Sequence, residues 1–96
     1  MKDLEYLIRK AMKRIPVDER FAVYGPVQNL NDPNILNVYL DCPRDKPPHT
    51  AYCNCVDLYK SKMRKMTVAQ LAKYVEMKLR FAEEGLREYM ADMEDE

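Results

Sequence analysis

Ninety-six residues, 47% apolar and 33% charged, fit one compact domain, since single domains typically run to about 100–150 residues. Sixteen Lys and Arg balance sixteen Asp and Glu, so no overall basic field is present to draw in nucleic acid. Two Gly, one Ser, two Thr and one His are too few for a glycine-rich phosphate cradle or a Ser-His-Asp system, and no catalytic residue is assigned.

The chain begins directly in a charged amphipathic pattern without a signal-peptide core, and no run of about 20 apolar residues would span a membrane. A cytoplasmic location is expected, with the three Cys as thiols or ligands rather than disulfides. Residues 3–15 read as a helix, because Leu4, Leu7, Ile8, Ala11 and Ile15 fall on one face. Asp3 caps its start and Pro16 stops it. Its other face carries Arg9, Lys10, Lys13 and Arg14, a sign that suits the C-terminal end of the helix dipole.

Residues 20–24 read as a short strand ended by Gly25-Pro26, and residues 27–34 hold turn chemistry. Residues 35–42 alternate, with Leu36, Val38, Leu40 and Cys42 on one face and Asn37, Tyr39 and Asp41 on the other. Residues 50–58 form a third strand after a proline-stiffened loop. The preferred hairpin register sets Leu40 against Cys53 and Val38 against Cys55, which turns the thiols inward and leaves Asn37, Tyr39, Tyr52 and Asn54 outside.

Thr67 is the expected N-cap of a helix running to about Met93, with Val68, Leu71, Ala72, Val75, Leu79, Ala82, Leu86, Met90 and Met93 as its apolar stripe. A second row, Tyr74, Met77, Phe81 and Tyr89, widens that stripe, with Met77 read as core. Glu76–Arg80 and Glu83–Arg87 are i, i+4 pairs. The segment 67–72 resembles the opening of a helix-turn-helix unit, but Val75–Leu79 continues the helix where the turn is required, so no function follows from it. The expected fold is therefore α+β, ordered α-β-β-β-α, a single domain over 1–96 whose acidic end, about 91–96, is disordered: a three-stranded antiparallel sheet packed by an N-terminal and a long C-terminal helix.

Such a helix is roughly 40 Å long at about 1.5 Å per residue, whereas a domain of this size is about 26 Å across. Phe81, Leu86, Tyr89, Met90 and Met93 are accordingly expected to lie in a homodimer interface. Charge is uneven: residues 83–96 carry net −6 and residues 1–82 net +6. Glu83, Glu84 and Glu88 are candidates for meeting a basic partner. The cations Lys60, Lys62, Arg64 and Lys65 precede a helix N-terminus, the wrong sign for its dipole, which points to a partner instead. With Tyr39 and Tyr52, flanked by Asn37 and Asn54, they form the candidate nucleic-acid surface.

Cys42, His49, Cys53 and Cys55 lie within fourteen residues and match the donor set of a structural Cys3His zinc site, although the C-x6-H-x3-C-x-C spacing is unusual. The alternative makes the thiols small apolar core residues, with no cofactor. The function expected from these features is non-enzymatic: a small dimeric protein-binding regulator or inhibitor of a larger protein, of the kind encoded by phages and mobile elements. Nucleic-acid binding and a zinc-stabilised binding domain are the alternatives.

Overall fold

The computed structural model describes residues 3–42 and 52–94, and within them every side chain except those of Cys42, Tyr52, Met93 and Glu94. The i, i+4 spacing of Leu4 and Ile8, continued by Ala11, gives helix α1 (Leu4–Met12) one buried face, and Asp3 caps it by accepting the Tyr6 N–H at 3.1 Å. The helix closes at Met12, before the expected end, and Ile15 is buried from the turn that follows. Strands β1 (Ala22–Gln28), β2 (Ile35–Cys42) and β3 (Tyr52–Tyr59) make an antiparallel sheet in the order β1-β2-β3. A short helix α2 (Lys60–Met63), not foreseen in the sequence, leads to α3 (Val68–Glu94). Thr67 and Gln70 cap α3 reciprocally: the Gln70 N–H donates to Thr67 Oγ1 and the Thr67 N–H to Gln70 Oε1.

Both long helices lie on one face of the sheet, where Leu36, Val38, Leu40 and Leu58 are wholly buried beneath Ile8, Leu71, Val75 and Leu79. Each such side chain contributes about 1.5–3 kcal/mol on leaving water. The α+β layout is the one expected.

Within that layout, further details differ from expectation. First, β1 does not stop at Gly25-Pro26. It runs through a bulge between Tyr24 and Val27 and resumes pairing at Val27–Asn37 and Gln28–Leu36. Gly25 sits at φ +118°, and a Cβ there would lie 2.7 Å from the Asn37 carbonyl oxygen.

Second, the β2–β3 register is shifted by one from the expected hairpin: Val38 faces Val56, Leu40 faces Asn54 and Tyr39 faces Cys55. Cys53 and Cys55 are therefore exposed on the outer face, and Asn54 points inward. Asn54 is useful there. Its Nδ2 donates to the Ala82 carbonyl at 3.0 Å and its Oδ1 accepts the Cys55 N–H at 2.9 Å. Val56, rather than a thiol, takes the core position. Near the other end of β3, the Tyr59 N–H is satisfied by the Tyr74 hydroxyl at 3.3 Å.

Third, α3 hides most of its own stripe: Leu71, Val75, Leu79, Ala82, Leu86 and Met90 are buried, Val68 is exposed, and the side chain of Met93, expected in a dimer interface, lies outside the described residues. Leu86 is 2% and Met90 6% exposed within a single chain, so neither is available to a dimer interface. The body is 48 × 27 × 18 Å rather than round, and its long axis accommodates the helix. Gly85 does not interrupt the helix. Of the second row only Tyr74 is buried; Met77, Phe81 and Tyr89 face solvent.

Glu83, expected at the surface, is buried and accepts the Asp18 N–H at 3.0 Å. Arg87 donates to it as anticipated, and Arg80 approaches it at 3.9 Å while donating to the Pro16 carbonyl at 2.7 Å, in place of the expected Glu76 pairing. Asp18 in turn binds Arg20 at 3.0 Å, with Arg87 at 3.8 Å.

Two outcomes follow. Gly25→Ala should destabilise the fold by about 1–3 kcal/mol, measured by urea unfolding, because neither the backbone angle nor the space admits a side chain. The hydrogen bonds from the Arg20 side chain and backbone hold Asp18 at a pKa of about 2, below its ordinary 3.8. A carboxyl depressed on folding stabilises above its unfolded pKa, and that contribution is lost as pH falls from about 4 through 2. Thermal unfolding of Asp18→Asn should therefore vary less with pH across this window than that of the parent.

Candidate functional site

The strongest surface feature is built on α1 and the turn that closes it. Turning Leu4, Ile8 and Ala11 inward forces Arg9, Lys10, Lys13 and Arg14 outward, and all four are exposed. Only Arg9 has an ion-pair partner on the same helix, Glu5 at 3.7 Å. The wide exposure of this pair makes it weak.

A hollow opens on each side of this cationic ridge. One, of about 190 Å³, lies between α1 and the start of α3; Leu7, Ala11, Ile15, Val68 and Leu71 form its floor and Lys10, Arg14 and Lys73 its rim. Glu76 is the one acid lining it. The other, of about 390 Å³, is floored by Met12, Ile15, Val17, Val23 and Leu79, with Arg9 and Lys13 above. Apolar floor and cationic rim together suit a ligand that is both greasy and anionic. The basic pairs Arg9-Lys10 and Lys13-Arg14, four residues apart, were the available signal in the sequence. They read only as dipole-compatible charge, because the hollows are made by α3 and β1.

The residues singled out from the sequence are dispersed. Asn37 is 3% exposed and structural: it accepts from Asn29 at 2.8 Å and donates to the Val56 carbonyl and to Asp57. Tyr39 is half-buried on the outer face, opposite Tyr24 on one side and Cys55 on the other. Tyr52 pairs with Cys42, and its side chain lies outside the described residues. Asn54 and Glu83 serve the interior as described. Lys60 donates to Gln28 at 2.6 Å and Lys62 lies 5.2 Å from the centre of the Tyr59 ring, while Arg64, Lys65, Glu84 and Glu88 are exposed.

Of the Cys/His set, His49 lies outside the described residues, as does the side chain of Cys42. Among the described residues no group of three or more Cys, His, Asp or Glu is placed to hold a metal. Cys53 and Cys55 are free thiols, exposed rather than buried as the inward register required. A hydrogen bond to Asp41, with some desolvation, pushes Cys53 up to about 11, and burial with the nearby Asp57 carboxylate pushes Cys55 up as well. Both are protonated, weakly nucleophilic thiols at neutral pH.

Comparison with protein-family models, with curated proteins and with solved structures returns no match. No described helix is long and apolar enough to cross a membrane.

The Cys53 environment is testable by alkylation. At pH 7.4 iodoacetamide should modify Cys53 far more slowly than a free cysteine peptide despite its exposure, and Asp41→Asn should speed the reaction at least about tenfold by removing the neighbouring negative charge. Peptide mapping by mass spectrometry reads both rates.

Proposed function

We propose that the protein is a non-enzymatic binding module, a small regulator or inhibitor that engages an acidic amphipathic segment of a larger protein. The observation that carries this reading is the α1 ridge of four exposed cations set between two apolar hollows. A helix with acids on its flanks and apolar residues at i, i+3 and i+4 would fill the hollows and neutralise the rim, the helix-in-groove mode of recognition. The protonated state of Cys53 and Cys55 supports a binding role over thiol chemistry, and their free thiols suit a reducing cytoplasm. The scale and uneven charge of the chain remain in keeping with accessory proteins of phages and mobile elements.

Nucleic-acid binding is the second reading, favoured by the same cations together with exposed Arg64 and Lys65. It ranks lower because phosphates have no use for the apolar floors, and because the outer sheet face presents Asp41 and Asp57 beside its tyrosine rather than cations. Both readings are addressed by fluorescence anisotropy, using a labelled acidic amphipathic peptide, a scrambled peptide of equal charge, and a DNA duplex. The acidic amphipathic peptide should bind tightest. Arg9→Glu with Lys13→Glu should weaken it by about tenfold or more, and salt should weaken it less steeply than a purely ionic contact. Equal binding of the scrambled peptide, or tighter binding of duplex, would defeat the proposal.

A further inference from the structure

The solvent side of α3 offers a second surface, which shares Lys73 with the rim of the hollow between α1 and α3. Met77 and Phe81 are one helical turn apart and 59% and 81% exposed, an apolar pair at the middle of a 27-residue rod. The rod is charged oppositely at its two ends. Toward its start stand Lys73 and, just before the helix, Arg64 and Lys65; toward its end stand Glu84, Glu88 and Asp92, all exposed.

We infer that this face binds a second copy of the same chain, with the two α3 helices antiparallel across a two-fold axis at the level of Leu79. The charge pattern selects the occupant. A parallel pairing would set acid against acid, whereas the antiparallel one brings Lys73 beside the partner's Glu84 and the Asp92 end beside the partner's Arg64 and Lys65. The same operation lays Met77 against the partner's Phe81, so each copy covers the other's exposed apolar pair. Helix dipoles also oppose in this arrangement. Arg64 and Lys65, ahead of α3, have the wrong sign for their own helix terminus and the right one for a neighbour's acidic end. One helix face of this length covers less than the roughly 1,200 Å² of a standard interface, so the dimer is expected to be reversible and in the micromolar range.

Sedimentation equilibrium of the full chain over a wide concentration range, at low and high salt, is the test. A monomer–dimer equilibrium that weakens with salt is expected. Phe81→Glu should abolish it without altering the thermal unfolding of the monomer, since the ring makes no part of the core. Lys73→Glu and Glu84→Lys should each weaken dimerisation by about tenfold, because each pair occurs twice, and the double variant should recover to within about threefold of the parent. A chain monomeric at the highest concentration and lowest salt overturns the inference. So does a dimer indifferent to Phe81→Glu, or a double variant no better than the singles. The inference stands apart from the α1 reading: loss of peptide binding in the Arg9 and Lys13 variant leaves this equilibrium in place.

Discussion

Glu83 fixes the relation between the two halves of the molecule. It stands on the long helix, yet its carboxylate accepts the Asp18 N–H from the segment that joins α1 to the sheet. Arg80 and Arg87, each about two-fifths exposed, neutralise it from the same helix, and Arg80 also holds the Pro16 carbonyl. A carboxylate this deep is tolerable only with such partners, and removing one leaves charge without compensation. Pinning residues 16–18 to the middle of α3 determines where α1 can lie. The two hollows are what remains open once that position is set.

Much of this architecture could be read in advance. The 3.6-residue periodicity of α1 and α3, the alternation in β2 and the Thr67 N-cap each depend on neighbours close in sequence, and the structure has them; the return bond from Gln70 is an addition to that reading. What escaped depends on partners far away. Side-chain polarity alone favours a β2–β3 register with Cys inside and Asn outside. That register fails because Asn54 has a specific inward task at the Ala82 carbonyl, and because Val56 fills the core place better than a thiol.

The same limit governed the candidate surface. Arg9, Lys10, Lys13 and Arg14 are legible as charge, but hollows require two elements, and the placing of α1 against α3 involves Glu83, for which the sequence shows the Arg87 pairing but not the burial or the Asp18 N–H. Burial of Leu86 and Met90 follows from overall shape, which composition does not reveal: the protein is an elongated slab rather than a sphere. The large apolar groups exposed on α3 are Met77, Phe81 and Tyr89, on the flank of the stripe, and Val68 at its start.

The backbone at the rim of β3 has a further consequence. N–H groups along an antiparallel strand alternate between the paired and the open side. Two donors of this terminal strand, those of Cys55 and Tyr59, are already taken by Asn54 Oδ1 and the Tyr74 hydroxyl. Across the sheet, the opposite rim is kinked by its bulge at Gly25-Pro26. Along the described residues both borders are interrupted as templates for an added strand, one by side-chain acceptors and the other by a bulge, which disfavours edge-to-edge stacking.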